Sequence, residues 1–196
     1  YRGVPIVPMA SLAFPGYQQV RICTTPQLAL EWTLASFSPD VVHLASPINV
    51  GYRAALAARR LGIPSVAVYQ TDVPGYASRY GISALEAYLW ARVRGTHQAA
   101  TLNLAPSSAS IAQLEGLGVG DLRLWGRGVD GELFHPSKRS DALRAAWAPA
   151  GERIVGYLGR LAPEKQVDDL HVLAGLPGTR VVVVGDGPER ASLEQR

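Results

Sequence analysis

The sequence predicts an α/β protein with parallel sheets, and three observations support this fold class. Short apolar runs of strand-forming residues alternate along the chain with longer segments of helical composition. The apolar runs contain few polar residues, which is typical of parallel strands covered on both faces. Gly and Pro mark the connections between the segments. This alternation favours a doubly wound layout in which helices cross from one strand to the next.

Composition narrows the class further. The chain has 196 residues, 47% of them hydrophobic and 18% charged, which excludes a disordered tail. The formal net charge is only +3, so charge gives no argument for nucleic-acid binding. The single cysteine, Cys23, excludes an intramolecular disulfide framework and a clustered-cysteine zinc site. No apolar run reaches the roughly 20 residues of a membrane-spanning helix, and no secretory leader is visible.

The first part of the chain contains most of the predicted elements. Residues 1–25 include several prolines and predict a loop with one short strand. A helix is expected from Pro26 to just before Pro39. Gly62 would cap the C-terminus of another expected helix, 51–61. The expected strands are 40–45, 65–69, 102–105 and 122–125. The other expected helices are 51–61, 82–93 and one beginning near Ser107.

The alternating pattern breaks around residues 130–153, where Gly, Pro and polar residues accumulate. A second alternating unit follows, with strands at 154–158 and 181–184 and helices at 167–174 and from Glu189, with Pro188 at a first helical position. We therefore predict an N-terminal Rossmann-like domain over 1–136, a linker over 137–152 and the beginning of a second domain over 153–196.

The loop after the strand at 154–158 is the most informative segment for chemistry. In open α/β sheets, ligands bind at the carboxyl ends of the strands. Gly159 allows close backbone approach there, and Arg160 and Lys165 place two cations beside the start of a helix. These residues predict a clamp for a diphosphate. In the alternative interpretation, Arg160 pairs with Glu164 and Lys165 is solvated.

Three ordered motifs resemble the retaining glycosyltransferases of family four. They are Gly-Arg-Leu-Ala-Pro-Glu-Lys at 159–165, Val-Val-Gly-Asp-Gly-Pro-Glu at 183–189 and Arg-Gly-Val-Asp-Gly-Glu-Leu-Phe-His-Pro at 127–136. Segments 41–47 and 69–76 are most similar to those of actinobacterial GDP-mannose-dependent α-mannosyltransferases acting on lipid acceptors. The resemblance covers nearly the whole chain but only about half of the family's length.

The resemblance implies a GT-B architecture, in which two Rossmann-like domains enclose the active site, and it implies roles for particular residues. Arg160 and Lys165 would be the catalytic cations that stabilise the departing nucleotide. The donor would be bound by Gly159, Arg160, Lys165 and Gly185. The sugar and acceptor cleft would include Gln70, Thr71, Asp72 and Arg127. Gln70 stands where many family members have a histidine, so an acid–base role is excluded at this position.

The implied reaction moves a hexose from a nucleotide diphosphate sugar to a hydroxyl of a lipid or glycolipid, with retention at the anomeric carbon. The expected hexose is mannose. We expect front-face attack, no metal and no cofactor beyond the donor substrate. The expected location is cytoplasmic, with peripheral contact at the inner membrane face. A nucleotide-sugar epimerase and a non-catalytic nucleotide-sugar binder remain as alternatives.

Several other residues have competing interpretations. His43 is expected in a buried strand, either as a core or sheet-end histidine or as a catalytic one. The scattered His97, His135 and His171 suggest no metal site. Asp72 is either a carboxylate that binds a sugar or acceptor hydroxyl, or a turn and helix-cap residue. Asp130 is expected to be structural, and Asp186 to belong mainly to a turn. The basic and aromatic segment 79–94 is either a membrane-contacting helix or a helix packed on its sheet.

The ends of the chain suggest a fragment of a longer protein. The chain begins at Tyr1 and ends at Arg196 in the middle of a predicted helix. Two further motifs of the family, a Gly-rich loop and a Glu-x7-Glu motif, would then lie outside it. We expect the fragment alone to be inactive.

Overall fold

The computed structural model describes residues 3, 5–14, 17–46, 48–77 and 83–195, with the backbone alone for residues 14, 17–20 and 76. The described residues fold into two compact units. The first takes in residues up to 77 together with 84–127, and the second is built mainly from residue 128 onwards. The division into domains that was predicted from the sequence stays a prediction.

The first unit is an α/β layer structure around a parallel sheet. Its strands are β1 (Ser11–Phe14), β2 (Tyr17–Cys23), β3 (Val42–Leu44), β4 (Ser65–Val68), β5 (Leu102–Ala105) and β6 (Leu122–Leu124). Its helices are α1 (Gln27–Phe37), α2 (Val50–Arg60), α3 (Val73–Ala77), α4 (Glu86–Ala99) and α5 (Ser108–Gly116). Strands β3 to β6 pair in chain order, and every pairing is parallel. This confirms the predicted α/β class.

The core lies between this sheet and its helices. On α2, Ala55, Ala57 and Ala58 are fully buried, and these small side chains allow α2 to pack closely. On α4, Leu89 and Val93 are buried as their spacing predicts, and Thr96 and His97 continue the buried face. A second cluster joins Tyr69, Val93, Ala105, Leu114 and Val119 beneath the carboxyl ends of the central strands.

Two predictions for this unit were wrong. The beginning of the chain forms the antiparallel pair β1 and β2 rather than one strand, with Ser11 opposite Cys23. Pro5 and Pro8 precede β1 and so do not interrupt it. His43 is exposed rather than buried, because β3 is the outer strand of the described sheet, and its ring meets Trp125 edge-on at 6.4 Å.

The second unit centres on two parallel strands. Its elements are α6 (Asp141–Trp147), β7 (Arg153–Leu158), α7 (His171–Ala174), β8 (Thr179–Val184) and α8 (Arg190–Glu194). The helix predicted over 167–174 is a 3-10 turn, Val167–Leu170, followed by α7. Pro188 is not at the first helical position, because α8 begins only at Arg190. The backbone N–H of Glu189 instead donates to Leu161 O at 3.1 Å, which holds this segment against the neighbouring loop.

Candidate functional site

The carboxyl ends of β7 and β8 meet at a pair of glycines. The N–H of Gly159 donates to Val184 O at 3.1 Å, which continues the strand pairing beyond β7. A Cβ atom on Gly185 would lie 1.8 Å from the carbonyl oxygen of Gly159. Only glycine at position 185 allows the two loops to approach this closely. The predicted donor residues Gly159 and Gly185 therefore lie side by side.

Arg160 follows this junction and is held by a buried carboxylate. Its guanidinium forms an ion pair with Glu164, whose side chain is fully buried, while the arginine side chain is 49% exposed. The hydroxyl of Tyr157 donates to Arg160 O at 2.8 Å and fixes the backbone. The pairing foreseen in the alternative interpretation is thus present. It leaves Arg160 accessible from solvent, so its contact with a phosphate stays a prediction.

Lys165 presents a second cation close to the first in the chain. It ends a short 3-10 helix, Pro163–Lys165, and its side chain is exposed. Within the described part of the chain it has no ion pair. An exposed lysine with a flexible stem, together with an arginine held in position, is suited to binding the oxygen atoms of a phosphate.

A pocket of about 470 Å³ opens in the first unit, at the carboxyl ends of β4 and β5. The loop between β4 and α3 forms one wall, and the beginning of α5 forms the other. The lining residues are Tyr69, Gln70, Thr71, Asp72, Pro106, Ala109, Ser110 and Gln113. Three of the predicted cleft residues, Gln70, Thr71 and Asp72, are therefore brought together in one cavity.

Asp72 caps α3 and also lines the pocket. Its Oδ1 accepts a hydrogen bond from the N–H of Gly75 at 3.0 Å and lies 3.2 Å from the hydroxyl of Tyr69. Gly75 makes this possible, because a Cβ atom there would lie 2.2 Å from Asp72 Oδ2. The interpretation of Asp72 as a helix cap is confirmed. Binding of a hydroxyl group by the same carboxylate stays a prediction.

Arg127 lies beside Gln70, although the two are far apart in sequence. Its Nη2 donates to Gln70 Oε1 at 3.4 Å, and both side chains are exposed. This contact favours the amide orientation in which Gln70 Nε2 is available as a donor. The predicted site residues thus form two clusters, one within each unit.

The remaining polar candidates have structural roles. Asp130 Oδ1 accepts hydrogen bonds from the N–H groups of Glu132 and Leu133 at 3.0 and 2.9 Å, which confirms the structural interpretation. Asp186 Oδ1 accepts from the N–H of Gly187 at 2.8 Å within its turn. The described residues include no group of three or more His, Cys, Asp and Glu side chains arranged to hold a metal ion.

His97 is buried beneath the pocket. Its Nδ1 lies 2.8 Å from Asn103 Oδ1, and its ring meets that of Tyr69 edge-on at 5.9 Å. Asn103 donates its amide N–H groups to the carbonyl oxygens of His97 and Gly120, so its Oδ1 accepts from His97 Nδ1. Burial lowers the pKa of His97 below its usual value of 6.5. The His97 ring thus packs against Tyr69, which lines the pocket.

Sequence reasoning missed the second wall of the pocket. Ser110 and Gln113 lie on α5, and Gln113 Oε1 is 3.1 Å from the hydroxyl of Tyr69. The only available signal was that α5 follows a strand adjacent to β4. That signal places the helix near the loop of Tyr69 but does not choose its side chains.

Arg92 of α4 is half-buried and stacks on two tyrosine rings. The guanidinium carbon of Arg92 lies 4.4 Å from the ring centre of Tyr52 and 4.9 Å from that of Tyr88. Arg94 is exposed. The helix packs through its apolar face, as the alternative interpretation expected; residues 79–82 of the basic and aromatic segment lie outside the described residues. None of the helices in the described ranges has the length and apolar character needed to cross a bilayer.

Comparison with known proteins identifies the family to which this chain is similar. The model of Glycosyltransferase Family 4 matches residues 2–133. A GDP-mannose-dependent alpha-mannosyltransferase of Mycobacterium tuberculosis is 47% identical over 98% of this chain and 50% of its own length. A protein of the same name from Corynebacterium glutamicum is 43% identical over 100% of this chain and 47% of its own length. The chain thus spans about half the length of these curated relatives.

A solved structure supports the fold. The crystal structure of Anabaena Alr3699/HepE in complex with UDP superposes with a TM-score of 0.62 at 22% sequence identity. The match covers 86% of this chain and 46% of the other. The likeness identifies the architecture as part of a GT-B fold.

Proposed function

The chain belongs to glycosyltransferase family 4, and from that membership we propose that the whole protein transfers a hexose from a nucleotide diphosphate sugar to a hydroxyl group, with retention at the anomeric carbon. The relatives are named for their dependence on GDP-mannose, so the proposed donor is GDP-mannose. The proposed acceptor is a lipid or glycolipid.

One observation carries the donor half of this proposal. At the carboxyl ends of β7 and β8, Gly159 and Gly185 bring two backbone loops together. Arg160 follows Gly159 directly, and Lys165 ends the short 3-10 helix that comes next. Exposed cations beside closely approaching backbone are suited to a diphosphate, because little reorganisation is needed to meet its charge. The pair Arg160–Glu164 fixes one cation, and Lys165 adapts to the ligand.

In the proposed reaction, the bond between C1 of the sugar and the diphosphate oxygen breaks while an acceptor oxygen attacks the same face. The acceptor proton passes to the departing diphosphate oxygen. Arg160 and Lys165 offset the negative charge that grows on the diphosphate. The proposal needs no metal because these two side chains supply the positive charge, and it predicts an unchanged rate in EDTA.

The pocket of the first unit supports the acceptor and sugar half. Gln70, Thr71 and Asp72 offer an amide, a hydroxyl and a carboxylate, and Arg127 orients the amide. Neutral polar groups and one carboxylate match the hydroxyl groups of a carbohydrate. We assign this pocket to the sugar moieties of the reaction.

Two surfaces support contact with a membrane. The stacked Arg92 lies beside the half-exposed Tyr88, and the outward side of α1 carries Leu28 and Trp32, which are 75% and 73% exposed. Exposed apolar and aromatic side chains with nearby arginines are typical of proteins that bind an anionic bilayer at its surface. Peripheral membrane contact would deliver a lipid acceptor to the pocket.

The direct test uses the full-length protein with GDP-mannose labelled in the sugar and a lipid extract as acceptor. The proposal predicts labelled lipid and released GDP, and an α-linkage in the product. GDP release that does not depend on acceptor would instead indicate the epimerase, and binding without turnover would indicate the non-catalytic binder. Co-sedimentation with phosphatidylglycerol vesicles, compared with phosphatidylcholine vesicles, tests the membrane contact separately.

A further inference from the structure

The pocket of the first unit contains a chain of three hydrogen-bonding side chains. Gln113 on α5 approaches the hydroxyl of Tyr69, and the same hydroxyl approaches Asp72. We call Gln113, Tyr69 and Asp72 the pocket triad. Tyr69 is 3% exposed, so its hydroxyl is held in position by the core around its ring.

The available hydrogen atoms decide which group donates and which accepts in each hydrogen bond of the pocket triad. The Tyr69 oxygen lies 3.2 Å from Asp72 Oδ1 and 3.1 Å from the side-chain oxygen of Gln113, but a phenol has only one hydrogen to donate. A carboxylate is the stronger acceptor, so that hydrogen goes to Asp72. Gln113 fits this arrangement with its amide turned over, so that its NH₂ group donates to the phenol oxygen. Both bonds then support the carboxylate.

The two oxygens of Asp72 consequently differ. Oδ1 accepts from Tyr69 and from the N–H of Gly75. Oδ2 has no donor among the described residues, although Asp72 lines the pocket. Thr71 and Ser110 add hydroxyl groups to the lining, and none of the described lining residues is a cation. A carboxylate held in position in a pocket whose lining includes hydroxyl groups is suited to accept a hydrogen bond from a carbohydrate hydroxyl.

We infer that Tyr69 is a positioning residue, and that with Gln113 it fixes Asp72 so that Oδ2 binds a hydroxyl group of the acceptor carbohydrate. The inference rests on the proposed function and extends it, because it adds α5 to the acceptor site. The two substrates are thereby assigned to different residues. The pocket triad acts on the acceptor, while the donor diphosphate belongs to the second unit.

The test is a double-mutant cycle in the full-length enzyme, with GDP-mannose and a glycosyl-diacylglycerol of known concentration as substrates. Tyr69→Phe removes only the hydroxyl and is expected to lower kcat/KM for the acceptor roughly ten-fold. Asp72→Asn is expected to lower it further. If Tyr69 acts through Asp72, the double variant equals Asp72→Asn within about two-fold. The KM for GDP-mannose is expected to stay unchanged throughout.

A second cycle keeps the test decisive if Tyr69→Phe fails to fold. Gln113 is exposed, so Gln113→Leu is expected to fold, and its effect should also disappear in the background of Asp72→Asn. Gln98→Leu is the matched control, because Gln98 is an exposed glutamine that donates to Gly118 O outside the pocket.

Additive losses in both cycles, or a changed KM for GDP-mannose, would overturn the inference about Tyr69. The proposed function would still hold in that case, provided that the wild-type enzyme transfers the hexose. A wild-type enzyme that transfers no hexose would overturn both.

Discussion

Replacing Lys165 by alanine separates donor binding from folding. The side chain is exposed and has no ion pair within the described ranges, so its removal should change the free energy of unfolding by no more than about 0.5 kcal/mol. A charge-assisted hydrogen bond to a diphosphate is worth roughly 1.5–3 kcal/mol. The Kd for GDP is therefore expected to rise about 10- to 100-fold.

The chain offers a matched control for this experiment. Its other lysine, Lys138, is also exposed and also ends a three-residue 3-10 helix, Pro136–Lys138. Titration calorimetry with GDP on the full-length protein should show the loss for Lys165→Ala and wild-type affinity for Lys138→Ala. Equal affinities for wild type and Lys165→Ala, with both proteins folded, would refute the assignment of the diphosphate to this loop.

Three further predictions concern the support of the two sites. Glu164→Gln leaves the charge of Arg160 without its buried partner and is expected to lower the free energy of unfolding by about 1–3 kcal/mol in urea titration. The pKa of His97 is lowered on folding, so the unfolded chain takes up the proton first; stability should fall as the pH drops below 6.5, and His97→Phe should lose that dependence. Gly185→Ala places a methyl group 1.8 Å from a carbonyl oxygen and should weaken both GDP binding and thermal stability.

Each of these three predictions has its own control in the chain. Glu194→Gln removes an exposed carboxylate from an ion pair of the same spacing and should change stability little. His43→Phe alters an exposed histidine and should leave the pH dependence intact. Gly156→Ala adds a methyl group where nothing lies within 4 Å. If the controls behave like the test variants, burial and close packing are not the causes of the changes in stability, pH dependence and GDP binding.

The parallel sheet could be predicted because its signals are local. The run at 102–105 is short, mostly apolar and followed directly by Pro106, and β5 has the bounds expected of it. The exposure of His43 could not be predicted in this way, since it depends on the strand order rather than on the sequence of β3. A short apolar run predicts that its residues form a strand, but it does not predict the position of that strand in the sheet.

The donor loop and the acceptor pocket differ in how much of each could be predicted. Gly159, Arg160 and Lys165 are consecutive or nearly so, and therefore form a visible motif. Gln113 is 44 residues away from Tyr69, and the two meet only because β4 and β5 are neighbours. Contacts of this kind depend on tertiary structure, so the α5 wall could not be assigned before the fold was known.

The most direct test of the account is transfer of labelled mannose from GDP-mannose to lipid by the full-length protein. We expect labelled lipid with wild type and with Lys138→Ala, and at least a ten-fold lower initial rate with Lys165→Ala at a GDP-mannose concentration below the wild-type KM. Absence of labelled lipid with the folded wild-type enzyme, or an undiminished rate with Lys165→Ala, would contradict it.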